Sequence, residues 1–182
     1  MKLNEVVENI VQDTGIDLTQ EFDRNFERKA FFTDKWKETK HPNSRGSLML
    51  RSGKLRKSIN KTQGSSEIRW RSSLPYATIH NEGGEIEVTA KMKKFFWAMY
   101  YKSSGAITTR RDGSASKSQR NIKLTAEAKK WKAMALMPVG TKMKIEQRQF
   151  IGWHPEVDKR VETIIDHNLQ EYNKSLIEDL KQ

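Results

Sequence analysis

The feature that most constrains the fold is an apolar stripe near the C-terminal end of the sequence. A helix start is indicated at Trp153, His154, Pro155 and Glu156, with proline at the first helical position and a carboxylate after it. The residues that then fall on one side of a helix are Val157, Val161, Ile164, Ile165, Asn168, Leu169, Tyr172, Leu176 and Leu180. This pattern predicts a long amphipathic helix whose stripe joins the core or binds a partner, with Trp153 as a packing anchor.

Two shorter helices are predicted at the N-terminal end. Residues 3–11 place their apolar side chains on one side, and Asp13, Thr14 and Gly15 interrupt the pattern. Asp17 can cap a second helix, in which Phe22, Phe26 and Ala30 follow at four-residue steps. The N-terminal region is therefore expected to pack two amphipathic helices against the core.

The middle of the chain predicts short strands between short helices. Polar and apolar residues alternate, as in half-buried strands, at 67–71, 85–88 and 143–146. Helices are expected over 54–59, 74–80, 90–101 and 125–137, and a loop over 40–47. The predicted class is α+β, with long N- and C-terminal helices packed on a small, mainly antiparallel sheet. One domain is expected to span 1–182.

The composition excludes several classes of protein. The chain has 182 residues, of which only 35% are hydrophobic, so one modest core is expected. It has no cysteine, which rules out disulfides, thiolate zinc sites and a cysteine nucleophile. Residues 1–12 mix charged and apolar side chains, unlike a signal peptide, and no run approaches the roughly 20 apolar residues that cross a bilayer. We expect a soluble protein with no membrane contact.

Positive charge is concentrated in one central segment. The net charge of the chain is +11, and residues 91–132 contain twelve Lys and Arg but only Asp112 and Glu127 as acids. We predict a long basic insert at 91–132, mobile over 103–118, within the domain. The candidate polyanion-contacting residues are Lys93, Lys94, Lys102, Arg110, Arg111, Lys117, Arg120 and Lys123. Trp97, Tyr100 and Tyr101 lie nearby and could stack on bases. The alternative is a solvated face, with the aromatic residues in the core.

No catalytic, metal or cofactor site is predicted. The four histidines are dispersed: His41 lies in a loop, His154 lies beside a helix start, where a capping or packing role is expected, and His167 lies within the C-terminal helix. Only His80, Asn81 and Glu82 group polar side chains of catalytic type, and one His and one Glu two positions apart do not make a metal-nuclease site. Phosphate-binding loops, dinucleotide fingerprints and nucleophile elbows are absent from the sequence. The sequence favours a protein that is not an enzyme, and a nuclease using His80 and Glu82 remains an alternative.

Three segments in order resemble one family. Residues 50–59 resemble the "LxxTGxLRxSI" segment of the phage virion morphogenesis, or tail completion, family of Mu-like G protein type. Residues 74–84 are similar to its "xPYAxIHxxGG" segment, and residues 148–152 to its "RPFLG" segment. Two departures are Ser52 in place of the usual threonine and Gln149 in place of the usual proline. The resemblance covers about residues 17–172 and says least about the basic insert.

The resemblance implies a structural role. It implies a protein of a tailed phage or prophage that acts in tail completion or head–tail joining during virion assembly. The implied partners are further copies of the chain, in a ring such as a hexamer, and other tail or neck proteins. Contact with DNA through the insert is an added possibility. The implied location is the bacterial host cytoplasm during assembly and then the tail or head–tail junction of the virion. Stand-alone nucleic-acid binding through 91–132 is the alternative function.

The motif residues themselves are predicted to have packing roles. Glycines permit turns and close approaches, while Pro75 is expected to start a turn that delivers its neighbours to the core. The predicted packing residues are Gly53, Leu55, Ile59, Pro75, Tyr76, Ile79, His80, Gly83, Gly84, Phe150, Ile151 and Gly152.

Overall fold

A computed structural model describes residues 2–39 and 46–181. In this part of the chain the helices are α1 (Leu3–Arg28), α2 (Lys54–Lys57), α3 (Ala77–Glu82), α4 (Ala90–Gly105), α5 (Gln119–Leu136) and α6 (Pro155–Asp179). The strands are β1 (Ala30–Phe31), β2 (Asp34–Lys35), β3 (Ile59–Gln63), β4 (Ile68–Ser72), β5 (Gly84–Glu87) and β6 (Lys142–Ile145). The predicted α+β class with long N- and C-terminal helices is confirmed. The described strands form three separate antiparallel pairs, β1–β2, β3–β4 and β5–β6, rather than one sheet.

The contacts within the chain divide it into two compact units. Unit 1 comprises Met1–Gly83 and Glu146–Gln182, and unit 2 comprises Gly84–Ile145. The expected insert at 91–132 is the middle of unit 2. The unit extends beyond those bounds because Gly84 pairs with Ile145 and Glu87 with Lys142 across β5 and β6, closing its base.

Helix α1 continues through the position where the sequence predicts a break. Gly15 is buried in the middle of the helix, where a Cβ atom would meet Lys61 Nζ at 2.7 Å and Gln63 Oε1 at 3.1 Å. Asp17, the predicted cap, instead accepts hydrogen bonds from Arg160 Nη1 at 2.8 and 3.0 Å. The prediction of two helices was wrong because burial of the apolar face of α1 outweighs the cost of one glycine, about 1 kcal/mol.

Unit 1 has two apolar clusters built on α1. The first contains Phe26, Trp36, Leu55, Ala77 and Phe150. The second contains Leu18, Phe22, Phe31 and Phe32, against which Val157 and Val161 of α6 pack. Because both clusters draw on α1, this helix organises the core of the unit.

Helices α1 and α6 run antiparallel along each other. Asp17 is bound by Arg160, and Asp13 accepts a hydrogen bond from Asn168 Nδ2 at 3.0 Å, so the residue numbers rise in opposite directions. Helix α6 begins at the predicted position, where the His154 Nδ1 atom accepts from the Glu156 backbone N–H at 3.1 Å. The predicted long C-terminal helix and the capping role of His154 are confirmed.

Unit 2 contains a pair of antiparallel helices. Phe96, in the first half of α4, stacks on Trp131, in the second half of α5, with ring centroids 5.9 Å apart. Phe96, Ala128 and Ala135 are buried between the helices. Ser118 caps α5 by accepting from the Asn121 N–H at 3.2 Å, so this helix starts six residues before the predicted position. Helix α4 likewise continues to Gly105, into the segment expected to be a mobile loop.

Two further differences concern the middle of unit 1. Strand β3 was not predicted, because the four-residue spacing of Leu55 and Ile59 indicates a helix that ends at Ile59. In the structure Ile59 instead pairs with Ser72 in a hairpin. The predicted loop at 40–47 falls mostly on residues 40–45, which lie outside the described part of the chain, as does His41. Among the helices that the structure describes, none has the length and apolar character needed to span a bilayer.

Candidate functional sites: the motif core and the basic unit

The three segments that carry the family resemblance meet in one apolar cluster. Leu55 comes from the first segment, Ala77 from the second and Phe150 from the third, and all are at most 6% exposed. The Phe150 ring lies 5.3 Å from the ring of Phe26 on α1, measured between centroids. Residues far apart in sequence are therefore held together by mutual burial.

Hydrogen bonds join the second and third segments. Asn81 Oδ1 accepts from the Phe150 N–H at 2.9 Å and from the Ile151 N–H at 3.2 Å. The His80 carbonyl accepts from the Arg148 N–H at 2.8 Å. These bonds satisfy buried backbone groups without any regular sheet. Asn81 was considered from the sequence only as a polar neighbour of His80 and Glu82, and its role in joining the two segments was not predicted.

The glycines of the motifs occupy constrained positions. Gly53 has φ of +71° at the start of α2, and Gly83 has φ of +75°. A Cβ atom on Gly83 would meet the Gln147 backbone nitrogen at 3.1 Å, so side chains are excluded both by conformation and by space. Gly84 and Gly152 also have positive φ, at 135° and 126°. The conformations expected for Gly53, Gly83 and Gly84 are observed, whereas Gly152 was predicted only as a packing residue.

The aromatic predictions were partly wrong. Tyr76, expected in the core, is 42% exposed, and Trp153, expected as an anchor, is 68% exposed and donates to Asp158 Oδ2 at 3.0 Å. Trp36 has the anchoring role instead, since it is buried and donates to the Gln149 carbonyl at 2.7 Å. Ile59, Ile79 and Ile151 are partly buried, and Pro75 is exposed.

Gln149 adapts the chain where the resemblance would place proline. Its side-chain amide donates to the Trp153 carbonyl at 3.2 Å and to the Ile151 carbonyl at 3.4 Å. These bonds span the turn into α6. The glutamine thus contributes hydrogen bonds across a turn that a proline ring would stiffen.

His80 and Glu82, the pair considered for a nuclease, lie in different environments. His80 is half-buried, its Nδ1 atom has no hydrogen-bond partner among the described residues, and burial together with the nearby Arg148 charge lowers the pKa of His80. Glu82 is exposed. Within residues 2–39 and 46–181 no three His, Asp or Glu side chains converge as metal ligands. The ring of His154 packs against both Phe31 and Phe32, and His167 is exposed.

Almost all of the net charge lies in unit 2. Residues 84–145 contain fourteen Lys and Arg against four Asp and Glu, so they carry +10 of the +11 of the chain. All of these residues are described, and the one ion pair among them is Lys142–Glu85 at 3.4 Å. In unit 1, by contrast, the buried Glu21 binds Arg24 at 2.6 Å and Arg28 at 2.7 Å. The cations of unit 2 are therefore largely uncompensated.

Seven of the eight predicted polyanion-contacting side chains are exposed. They are Lys94, Lys102, Arg110, Arg111, Lys117, Arg120 and Lys123, whereas Lys93 is half-buried on the side of α4. Sequence reasoning omitted Lys91, which lies three residues before Lys94 and on the same exposed face. It also omitted Lys129 and Lys132, which are exposed on α5.

The segment between α4 and α5 is a hydrogen-bonded turn. The Arg110 N–H donates to the Ser114 carbonyl at 2.7 Å, and Asp112 Oδ1 accepts from the Ser114 hydroxyl at 2.7 Å and N–H at 2.9 Å. These bonds from Ser114 lower the pKa of Asp112. Because the carboxylate is engaged with Ser114, Arg110 and Arg111 are left exposed at the tip.

A buried asparagine organises this turn. Asn121 is 2% exposed, and its Oδ1 atom accepts from the Thr108 N–H and hydroxyl, both at 3.2 Å. Its Nδ2 atom donates to the carbonyls of Thr108 at 2.7 Å and Ser116 at 2.9 Å. Sequence reasoning placed Asn121 in no role, since an isolated asparagine beside a Ser-rich segment gives no distinctive pattern.

The aromatic residues of α4 contact one another. Trp97 stacks on Tyr101 with centroids 5.9 Å apart, and Tyr100 lies 5.7 Å from Trp97. Lys132 Nζ lies 5.9 Å from the centre of the Tyr100 ring. Trp97 and Tyr100 are half-buried, and Tyr101 is 65% exposed. The expectation that aromatic residues would be buried holds for Phe96, and these three form a partly exposed cluster.

Comparison with known proteins assigns no family to the chain. No family model, no curated protein and no solved structure matches the chain.

Proposed function

We propose that the chain is a non-enzymatic structural protein of a tailed phage or prophage, acting in tail completion or head–tail joining. The observation that carries the proposal is the meeting of the three family-like segments in one core. Leu55, Ala77 and Phe150 pack together, and Asn81 joins two of the segments by hydrogen bonds. The packing of Leu55, Ala77 and Phe150 supports the proposal because a protein that builds particles needs these segments to hold its fold rather than to perform chemistry.

Self-association is supported by exposed apolar side chains at one end of unit 1. Leu3 and Val7 of α1 and Leu176, Ile177 and Leu180, at the end of α6, are 38–86% exposed. Because α1 and α6 run antiparallel, the start of one and the end of the other belong to the same end of the pair. An exposed apolar group of this kind is typical of an association surface. In the proposal, it contacts a second copy within a ring.

The assembly can be tested by measuring mass in solution. The wild-type chain is expected to form a closed ring with a mass that is a multiple of 21.2 kDa, six copies being the size that the resemblance suggests. Ile177→Glu with Leu180→Glu should give monomers, because charge would replace the apolar contact. Gln170→Glu with Asn173→Glu adds the same charge to exposed positions of α6 and should leave the ring intact. A wild-type monomer at about 100 µM would contradict the ring.

The role in assembly can be tested by deleting the coding sequence from the phage or prophage that carries it. The expected result is accumulation of unjoined heads and tails, seen by electron microscopy, with joining restored when the chain is supplied in trans. Joined, infectious particles made without the chain would contradict the proposal. In this account the chain works in the bacterial host cytoplasm and is then retained at the tail or head–tail junction, bound to other tail or neck proteins.

A second candidate function is favoured by the charge of unit 2. A stand-alone nucleic-acid-binding protein would bind as a monomer and would have no need of the ring. The two candidates differ in a simple measurement, because only the first requires the chain to be present in purified particles.

A further inference from the structure

We propose that unit 2 binds the phosphate backbone of duplex DNA through the exposed face of α4 and the tip of the adjoining turn. The contacting side chains are Lys91, Lys94, Lys102, Arg110 and Arg111. This inference concerns the same charge that supports the second candidate function. It requires neither the ring nor the virion, so its outcome is separate from that of the tail-completion proposal.

Helix α4 offers cations without compensating acids. It contains four lysines and no Asp or Glu, whereas α5 carries Glu127 among its basic residues. Lys91, Lys94 and Lys102 are exposed on the side of the helix opposite the buried Phe96. Positions 91 and 102 are separated by about 16 Å along the helix axis, at 1.5 Å per residue. A row of this length can contact several consecutive phosphates of a duplex, which carries one charge per about 1.7 Å.

The turn that follows α4 presents two arginine side chains to solvent. Arg110 and Arg111 are exposed, and the turn is held by the buried Asn121 through four hydrogen bonds. Asp112, the acidic residue next to them, accepts from Ser114 instead of pairing with either arginine. Holding the backbone in advance reduces the entropy lost when the arginines bind phosphate.

The aromatic cluster favours a duplex over a single strand. Single-strand binding relies on successive bases stacking on open rings. Trp97 is covered by Tyr101, Tyr100 is half-buried, and the rings of α4 with a large exposed area are Tyr101 and Phe95, at 65% and 54%. These two rings lie six residues apart, on different sides of the helix, so they do not make a continuous stacking surface for several bases, whereas the cations suit contacts to phosphates. Binding is therefore expected to be independent of base sequence.

The test is a salt titration of the full-length chain with a labelled duplex of about 20 base pairs. Five phosphate contacts predict a slope of log affinity against log salt of about −4.5. Lys91→Gln, Lys94→Gln and Lys102→Gln together should make the slope shallower by about 2.7 and weaken binding at least about tenfold in low salt. The matched control replaces Lys35, Lys57 and Lys181 of unit 1, which are exposed, by glutamine and should bind like the wild type.

Four results would overturn the proposal. The first is no measurable binding of duplex by the wild type, and the second is an equal loss in the unit 1 control, which would show that only net charge matters. The third is tighter binding of a single strand that is lost in Tyr101→Ala. The fourth is competition by polyglutamate as effective as that by duplex, which would assign the surface to an acidic protein. Circular dichroism of each variant checks that unit 2 is folded.

Discussion

Phe150 and Trp153 lie three residues apart and illustrate how differently two aromatic side chains can contribute. Phe150 is fully buried against Phe26, and its backbone N–H donates to Asn81. Trp153 is mostly in solvent, where its indole N–H reaches Asp158. Both residues lie in the segment that precedes α6, and the sequence pattern alone does not show which of the two is buried. Burial depends on which face of the turn the core occupies.

Substituting the two rings by alanine should separate their contributions. Phe150→Ala is expected to lower the free energy of unfolding by about 3–5 kcal/mol, because it leaves a cavity among Leu55, Ala77 and Phe26. Trp153→Ala should change it by no more than about 0.5 kcal/mol. Chemical denaturation measures both. A similar loss in the two variants would contradict the packing described for this segment.

Glu21 is a buried carboxylate of unit 1 that contacts three arginines. Its side chain is 1% exposed and binds Arg24, Arg28 and Arg160 at 2.6, 2.7 and 3.2 Å. Burial alone would raise the pKa of Glu21, but hydrogen bonds from Arg28 and Arg24 and the charge of Arg160 outweigh burial and lower it. The folded chain therefore holds the ionised form more strongly than the unfolded chain does.

This pKa shift predicts a pH dependence of stability. The lowered pKa stabilises the fold above the unfolded value of about 4.3, and the stabilisation is lost as the pH falls through the folded value. Glu21→Gln should lower the free energy of unfolding by about 1–3 kcal/mol at pH 7, and the difference from wild type should shrink below about pH 4. Glu8→Gln, an exposed position on α1, is the control. A difference that is constant with pH would contradict the argument.

At the scale of elements, the sequence predicted α6 as one continuous helix, whereas it predicted two shorter helices in place of α1. Helix α6 has a continuous stripe, Pro155 at its start and His154 as its cap, and all of these signals agree. In α1, Gly15 and its neighbours gave a local break signal, but the helix continues through them because its inner face is buried at Gly15, Leu18 and Phe22. Strand β3 was not predicted because it is stabilised by pairing with β4, which lies on the other side of a turn and gives no local signal within residues 59–63.

Replacing Gly15 tests this reading of α1. Gly15→Ala should raise the free energy of unfolding by up to about 1 kcal/mol, since alanine favours helix and the contacting atoms are the mobile ends of Lys61 and Gln63. Combining it with Lys61→Ala, which removes the closest contact, should give at least the same gain relative to Lys61→Ala alone. Thermal or denaturant unfolding measures the change. A loss larger than about 1 kcal/mol in both backgrounds would show that backbone packing requires glycine.

At the scale of the molecule, the charge pattern located unit 2 but not its boundaries. The sequence marks 91–132 as basic, whereas the unit is closed by the pairing of Gly84 with Ile145, which involves two short strands outside the basic segment. The exposed cations were predictable from composition. The Asn121 hydrogen bonds that hold the turn were not, because they join residues whose proximity depends on the fold.

The division into units predicts that unit 1 folds without unit 2. Gly84 and Ile145 are paired, so their Cα atoms should lie about 5 Å apart, a distance that a two-residue hairpin loop can close. A chain in which two glycines replace residues 85–144 should unfold cooperatively and should not bind duplex DNA, because its net charge falls to about +1. Calorimetry and the salt titration check the two outcomes. A chain that fails to fold would show that unit 1 depends on unit 2.

We propose that this chain is part of a tailed particle, and the packing of Leu55, Ala77 and Phe150 in one core is the observation that supports this proposal. The most direct measurement is quantitative mass spectrometry of intact particles, purified by density gradient from the strain that encodes the chain. The account predicts peptides of the chain at a fixed copy number per particle, retained in isolated tails or at the neck. Their absence from purified particles, with the chain abundant in the lysate, would contradict it.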